Sequence, residues 1–475
     1  MKTGEAFLKR SGGRPDCRRG RHPVHPPQYS CYGGRAARIP RLNQRETSMI
    51  LRSLGNRCRF RRAGRPSSTA GEDARRYITR LRIGTFQIAL IAITALCVLV
   101  GSCFAAEPEF SDVFVSGQDG YKSIRIPSVV VTKQGAVLAF AEGRAVSSDQ
   151  AENDIILKRS TDGGKSWGKL QLLHDDGKNS LNNPTAVVEQ PSGRVFLMYQ
   201  RIPGHLKERS ASVETGFDGT NIYRNLLIWS DDEGATWTKP LDVTRTTKRA
   251  TQATTIASGP GIGIQLTRGP HAGRLIIPFN EGPYNQWNNF AVFSDDRGSS
   301  WKCGGNVPGA FLPDAQLRQR SQINEVQMVE LSDGSVRLNS RQFAGAKVRK
   351  TSVSKDGGMT WSPIDDVPAL RDPSCNASIL RYSFGEGGSL GRILYSGPDS
   401  TKRDTGTVYL SSDDGVTWPV KRVLWPGTFA YSVLTKLPDS KIGCLFEPDN
   451  YERIIFARFG MDWLSANTPT NVPKP

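Results

Sequence analysis

Arg125 is the first residue whose type and surroundings suggest chemistry. It lies in Ser123-Ile-Arg125-Ile-Pro127, an apolar, strand-like run in which a charged side chain is unusual. A guanidinium group in a protein interior has to be compensated by an anion. Two kinds of partner meet this requirement: a carboxylate of the protein, which would form a structural salt bridge, or an anionic ligand.

Three other residues carry groups suited to proton transfer or nucleophilic attack. Asp149 lies in a polar stretch, Glu325 follows an asparagine, and Tyr431 lies in the strand-like run Ala-Tyr-Ser-Val-Leu. Considered alone, Asp149 is a loop acid, and a lone tyrosine in a strand normally packs. Their chemistry therefore depends on which elements bring them together.

A repeated octet, Ser-x-Asp-x-Gly-x-x-Trp, defines those elements. Its tryptophans are separated by 70, 64, 60 and 57 residues, a period typical of stacked or radially arranged units. Within each octet the Asp side chain can accept backbone N–H bonds, and the Gly permits a positive φ. The five copies are Ser160–Trp167, Ser230–Trp237, Ser294–Trp301, Ser354–Trp361 and Ser411–Trp418.

The runs between the octets predict an all-β fold. Short β-rich runs flank the octets, and no convincing amphipathic helix is found between residues 107 and 460. A unit of about 60 residues accommodates four short strands, so the sequence predicts a six-bladed β-propeller of four-stranded antiparallel blades. We expect Phe110–Val115 to pair with Arg453–Phe459 and close the ring. The strand-like runs are Asp154–Lys158, Asn225–Trp229, Asn289–Phe293 and Thr407–Leu410.

The octets resemble the Asp boxes of sialidases (neuraminidases), and the likeness extends over residues 107–460. In that family the boxes are structural turns away from the active site. They also occur in other propellers, so they indicate a fold more than a function. Arg125-Ile-Pro127 in addition resembles the Arg-Ile-Pro motif of bacterial-type exo-α-sialidases.

This resemblance implies three arginines that bind the substrate carboxylate. Arg125 would be the first, Arg341 in Leu-Asn-Ser-Arg the second, and Arg403 ahead of the last box the third. Lys402 is adjacent to Arg403, so this assignment rests on the resemblance. Glu447 matches the glutamate that holds the first arginine. Guanidinium forks suit a planar carboxylate because they bind it through two parallel hydrogen bonds.

The resemblance also implies the reacting groups. Tyr431 would be the nucleophile, Glu325 its base, and Asp149 the general acid/base, with Arg144 as a further substrate-binding residue. A neutral tyrosine avoids the repulsion that a carboxylate would meet at an already anionic centre, and the reaction proceeds with retention. Glu330 matches no catalytic role and is expected to be structural.

The implied function is hydrolysis of terminal sialic acids from glycans, glycoproteins or glycolipids, without a cofactor or metal. Three alternatives remain open: transfer of the sialic acid, as in trans-sialidases, a non-catalytic sialic-acid-binding propeller, and a glycosidase for another acidic sugar. The segment Gly282–Trp287 either shapes the aglycone side or forms a rim loop.

The charge distribution argues against a nucleic-acid partner. Residues 1–84 contain 21 Lys and Arg against 5 Asp and Glu, whereas the rest of the chain contains 42 against 40. The predicted domain, residues 107–464, is therefore nearly neutral, and it carries no nucleic-acid motif. Three scattered cysteines in this domain predict free thiols, with one disulfide at most: Cys303, Cys375 and Cys444.

The segment before the domain predicts export. Residues 85–106 combine an apolar core with preceding arginines and following small residues, as in a signal peptide or a membrane anchor. Two outcomes remain open at Cys103: it lies in a lipobox-like motif and would then carry a lipid, or the signal is simply cleaved nearby. We expect an exported protein that is periplasmic, attached to the cell envelope or extracellular. Residues 1–84 and the tail 465–475 are predicted to be disordered.

Overall fold

The computed structural model describes residues 105–309, 322–343, 346–386 and 391–466. The basic segment 1–84, Cys103 and nearly all of the predicted signal or anchor and of the tail lie outside these ranges. Within them, no helix has the length and apolar character needed to cross a bilayer. The three cysteines of the described ranges are unbonded, and Cys375 and Cys444 are buried, as expected.

The described chain is built almost entirely from β-strands, so the all-β prediction is confirmed. Two short helices are present, α1 (Thr244–Thr247) and α2 (Met461–Ser465). The strands of the first half are β1 (Glu109–Val115), β2 (Ser123–Val131), β3 (Val137–Arg144), β4 (Asn153–Ser160), β5 (Gln171–His174), β6 (Ser180–Val188), β7 (Val195–Ile202), β8 (Arg224–Ser230), β9 (Leu241–Asp242), β10 (Ile256–Ser258), β11 (Gly261–Ile262), β12 (Ile264–Gln265), β13 (Leu275–Glu281), β14 (Asn288–Ser294) and β15 (Lys302–Cys303).

The second half continues the same pattern, and all four strand-like runs predicted between the boxes lie inside strands. The strands of this half are β16 (Ile323–Glu330), β17 (Val336–Gln342), β18 (Val348–Ser354), β19 (Asp365–Arg371), β20 (Ser378–Ser383), β21 (Arg392–Pro398), β22 (Asp404–Ser411), β23 (Val420–Lys436), β24 (Ile442–Pro448) and β25 (Arg453–Phe459).

Most neighbouring strands pair antiparallel. The hydrogen-bonded orders are β2-β3-β4-β6-β7-β8-β9, β10-β13-β14-β15, β16-β17-β18-β19 and β1-β25-β24-β23-β22-β21-β20, with β5 beside β4, β11 beside β6 and β12 beside β13. Strand β6 pairs parallel with β4, at Asn153 and Ser180, and with β11. Strand β23 is long, so its first half pairs with β22 and its second half with β24. The first strand, β1, pairs with the last, β25, as predicted, with Phe110 opposite Ala457.

Neighbouring sheets pack face to face through apolar side chains. Phe196 on β7, for example, packs in one cluster with Leu275 and Ile277 on β13 and with the box tryptophan Trp301. Strand β3 is buried at every position, as expected for a strand covered on both faces.

Each Asp box forms the same turn. In the first box the Ser160 hydroxyl donates to Asp162 Oδ1 (2.7 Å) and accepts from the Gly164 N–H (2.8 Å). Asp162 also accepts from the Ser166 hydroxyl at 2.6 Å. The other four boxes repeat these bonds. The boxes are therefore structural turns, as expected.

The box glycines predict a specific loss of stability. Gly298 has a φ of +88°, and an added Cβ would lie 2.1 Å from the Phe196 ring; Gly273 has a φ of +94° with nothing within 4 Å. An alanine at either position costs about 1–2 kcal/mol for the left-handed backbone. Overpacking adds about 1–3 kcal/mol at Gly298 alone. The free energy of unfolding, measured in urea, should be lower for Gly298→Ala than for the matched Gly273→Ala. Equal losses of unfolding free energy would contradict this packing.

Candidate active site

Seven of the eight predicted site residues line one cavity of about 300 Å³. The eighth, Glu447 on β24, lies behind Arg125 and contacts it. Strands and loops from widely separated parts of the chain contribute to the cavity wall. These seven residues are Arg125 (β2), Arg144 (end of β3), Asp149 (β3–β4 loop), Glu325 (β16), Arg341 (β17), Arg403 (before β22) and Tyr431 (β23).

Irregular strand pairing marks the places where strands reach the cavity. The register shifts between Arg125 and Ser128 on β2, and again within β16 and β23 around Glu325 and Tyr431. Strand β6 shows the same shift next to Asn183, which also lines the cavity. A bulge bends a strand and redirects a side chain, so it can turn a polar residue out of the packed sheet.

Arg125 has a carboxylate partner of its own. Its Nη2 and Nε donate to the two oxygens of Glu447 at 2.8 and 3.2 Å, and Glu447 also accepts from the Ile126 N–H at 2.8 Å. Burial lowers the pKa of Arg125, but the charge and hydrogen bonds of Glu447, together with smaller effects of Tyr431 and Tyr451, raise it more. Arg125 therefore forms the structural salt bridge that its sequence context allows, and it also lines the cavity.

Tyr431, Glu325 and Arg341 form one hydrogen-bonded group. The Tyr431 hydroxyl donates to Glu325 Oε1. Arg341 Nη1 donates to Glu325 Oε2 at 2.6 Å and approaches the Tyr431 oxygen at 2.9 Å. A carboxylate is thus in position to accept the phenolic proton, while a cation is in position to stabilise the oxygen that loses it.

The Tyr431 phenol is protonated at neutral pH. Burial raises the pKa of Tyr431 well above 10, and Glu325 raises it further, whereas Arg341, Arg403 and Arg125 oppose the shift. The arginines therefore do not by themselves produce a phenolate, because desolvation outweighs them.

Arg403 approaches the same tyrosine from another direction. Its guanidinium carbon lies 5.4 Å from the centre of the Tyr431 ring, as does that of Arg125. Arg403 Nη1 donates to the Tyr451 hydroxyl (3.0 Å) and Nη2 to the Ser374 carbonyl (2.8 Å). Three guanidinium groups therefore converge on one tyrosine in a largely buried cavity.

Arg144 connects a buried acid to the predicted acid/base. It donates to Glu142 Oε2 at 2.6 and 2.8 Å and to Asp149 Oδ1 at 2.9 Å. The Asp149 carbonyl in turn accepts from the side-chain amides of Asn153 and Asn182, at 2.9 and 2.8 Å. These contacts fix a loop residue whose side chain is still 68% exposed.

The charge state of Asp149 is set by two opposing effects. Desolvation raises the pKa of its carboxyl, but the charge and hydrogen bond of Arg144, with weaker help from Arg125 and Arg403, lower it more. Asp149 is thus ionised at neutral pH.

Several cavity residues escape sequence reasoning. Glu208, in a polar segment without strand character, is half-buried in the wall and accepts from the Trp287 indole N–H at 2.9 Å. Burial raises the pKa of this carboxyl. Tyr451, which covers the Arg125 guanidinium at 4.0 Å, has no sequence signal beyond its proximity to Glu447.

The remaining sequence-based assignments are resolved by geometry. Tyr284 and Trp287, from the segment left open between an aglycone wall and a rim loop, both line the cavity. Glu330 accepts bonds from Thr267 and Arg268, as expected of a structural residue. Among the described residues, no group of three or more His, Cys, Asp or Glu side chains could hold a metal ion.

Solved structures with the same fold are sialidases and trans-sialidases. The Hadza microbial sialidase Hz136 superposes with a TM-score of 0.66 at 26% identity, over 75% of this chain and 69% of that one. The intramolecular trans-sialidase from Ruminococcus gnavus gives a TM-score of 0.65 over 75% of this chain and 99% of that one. At 21% identity, this second match supports the fold alone.

Sequence comparison identifies the family. A family model described as a BNR repeat-like domain matches residues 135–444. The chain is 36% identical to a sialidase of Micromonospora viridifaciens over 74% of its length, and it spans 54% of that protein. It is 31% identical to mouse Sialidase-2 over 72% of its length, and it spans 93% of that protein. The chain therefore belongs to the sialidase family with BNR repeats.

Proposed function

We propose that this protein is an exo-α-sialidase that hydrolyses terminal sialic acids from glycans and glycoconjugates with retention of configuration. The observation that carries the proposal is the convergence of three guanidinium groups on a tyrosine that is hydrogen-bonded to a glutamate. We further propose that the strand groups form the six blades of a closed propeller, with the cavity where the bulged strands meet.

The three arginines suit a sugar that carries a carboxylate. Arg125, Arg341 and Arg403 bring three guanidinium groups into one cavity, and guanidinium forks can bind a planar carboxylate through paired hydrogen bonds. Sialic acids have their carboxylate on the anomeric carbon itself. Binding it to these guanidinium groups would place the reacting carbon beside Tyr431.

Tyr431 and Glu325 would perform the first bond-forming step. As the Tyr431 oxygen attacks the anomeric carbon, its proton passes to Glu325, and the bond to the aglycone oxygen breaks. Because the phenol is neutral before attack, it is not repelled by the substrate carboxylate. Arg341, at 2.9 Å from the phenolic oxygen, would stabilise the negative charge that develops there.

Asp149 would supply the proton to the leaving aglycone oxygen and then take one from water in the second step. The pKa of Asp149 is lowered, so its carboxylate has to gain a proton before it can act as the acid. The substrate carboxylate favours this, because it adds negative charge close to Arg125 and Asp149. Glu447 would keep Arg125 in place throughout.

The proposal is tested by product analysis. Purified protein is incubated with α2,3-, α2,6- and α2,8-linked sialosides, and free sialic acid and its first-formed anomer are followed by NMR. We expect free sialic acid, released first as the α-anomer. Release of a sialoside of an added acceptor sugar, or of an internal anhydro product, would instead indicate transfer. Binding without any product would indicate a non-catalytic module.

The same assay tests the nucleophile. Tyr431→Phe removes the attacking oxygen and should lower kcat by at least about a hundredfold, the scale of losing a reacting group. Tyr199→Phe is the matched control, because Tyr199 is also buried but bonds to His174. Turnover by Tyr431→Phe at the level of the control would refute the assignment.

The dependence of activity on pH tests the role of Asp149. Because Asp149 has to be protonated to act as an acid, kcat/KM for sialyllactose falls as pH rises through its pKa. Arg144→Met removes the main group that lowers this pKa, so the descending limb should move to higher pH.

Two controls separate this effect from a general loss of activity. Arg144→Lys keeps the positive charge and should shift the limb less. An aryl sialoside with a nitrophenol leaving group needs no general acid, so its descending limb should respond little to either substitution. An identical limb for Arg144→Met and the unsubstituted protein on sialyllactose would contradict the proposed role of Asp149.

A further inference from the structure

We propose that the buried ion pair between Arg349 and Asp372 is a positioning device that sets the placement of two of the cavity arginines, Arg341 and Arg403. This inference rests on the proposed function and extends it to residues outside the cavity. Neither Arg349 nor Asp372 lines the cavity, and both side chains are 0% exposed.

Asp372 holds the strand that carries Arg341. Its Oδ2 accepts from the backbone N–H of Gln342, the residue directly after Arg341, at 2.6 Å. The same oxygen accepts from Arg349 Nη1 at 3.3 Å. A displacement of Asp372 would therefore move the end of β17, where Arg341 leaves the strand for the cavity.

The other oxygen of Asp372 holds the turn that supports Arg403. Asp372 Oδ1 accepts from the Cys375 N–H at 2.9 Å, and Arg349 Nη1 donates to the Cys375 carbonyl at 2.7 Å. The preceding residue, Ser374, accepts from Arg403 Nη2 through its carbonyl at 2.8 Å. Arg349 and Asp372 thus both hydrogen-bond to the backbone of Cys375, the residue next to the Ser374 carbonyl that accepts from Arg403.

Ser374 also connects the two supports to each other. Its hydroxyl lies 3.0 Å from the carbonyl oxygens of Gln342 and Phe343, at the end of the strand that carries Arg341. Its φ of +60° is a left-handed conformation that a serine adopts at a cost. The pair Arg349–Asp372 stabilises this turn from both sides, because it bonds the backbone at Cys375 and at Gln342.

Stability alone gives little reason for a charged pair in this place. Removing an ion pair from water is costly, and apolar residues of similar volume often replace buried pairs without loss. What apolar residues cannot do is accept two backbone N–H groups and donate to a carbonyl at fixed distances. Asp372 accepts the two N–H groups and Arg349 donates to the carbonyl, while Arg349 Nε also donates to Asn339 Oδ1 at 2.7 Å.

The test compares substitutions of Arg349 with one of a remote buried arginine. Arg274→Met is the control, because Arg274 is also buried, pairs with Asp295 of the third Asp box at 2.7 Å and donates to the Gly357 carbonyl of the fourth box at 2.9 Å. The measurements are KM and kcat for sialyllactose and the Kd for sialic acid, made well below each melting temperature. We expect Arg349→Met to raise KM and Kd roughly tenfold to a hundredfold, the scale of a misplaced binding group.

The control should lose thermal stability but keep KM and Kd within about twofold of the unsubstituted protein. Arg349→Lys keeps the charge but not the fork, so it should fold readily and raise KM by an intermediate factor. An unchanged KM and Kd in folded Arg349→Lys or Arg349→Met would overturn the proposal.

Failure of this inference and failure of the proposed function are distinguishable. The unsubstituted protein alone decides whether sialic acid is released. Crystal structures of the unsubstituted protein and of Arg349→Lys give the distance between the Arg341 and Arg403 guanidinium groups without any substrate. If this distance is the same in both structures, the inference is overturned, whatever the activity.

Discussion

The need to hold three guanidinium groups together in one cavity is the constraint on which the rest of the site depends. Each arginine is held by a different device: a buried carboxylate for Arg125, the Glu325–Tyr431 pair for Arg341, and a carbonyl and a phenol for Arg403. Their mutual repulsion is tolerated because these partners are fixed in advance. In the proposed function, the guanidinium forks would bind the carboxylate of the sugar.

The fold provides this arrangement through bulges that interrupt the regular pairing of its strands. Apolar strands pack in successive antiparallel sheets, and polar side chains would be costly inside them. Register shifts on β2, β6, β16 and β23 turn polar residues out of the packing at the one place where the strands meet the cavity. The Asp boxes keep the opposing turns uniform. The repeat therefore provides a rigid frame, and the bulges provide the departures from it.

Sequence reasoning reached the all-β fold, the pairing of the first and last strands, and the grouping of seven residues around one cavity. It succeeded because the box spacing fixes the order of the strands, and motif residues such as Arg125 occur at defined points in that order. It missed Tyr451, Ser374, Glu208 and the Arg349–Asp372 pair. These residues matter through long-range contacts, such as the 48-residue separation between Arg403 and Tyr451, and no local pattern predicts them. The catalytic roles, the blade count and the exported location stay predictions.

In the proposed mechanism Tyr431 forms a covalent bond to the sugar, and the direct test is to trap that bond. A 3-fluorosialyl fluoride slows both steps, because fluorine at C3 disfavours the oxocarbenium-like transition state, while fluoride leaves readily. Mass spectrometry of the intact protein followed by peptide mapping then locates the label. We expect one fluorosialyl group, on the peptide that contains Tyr431. A label on Glu325, or continued turnover without any labelled protein, would contradict it.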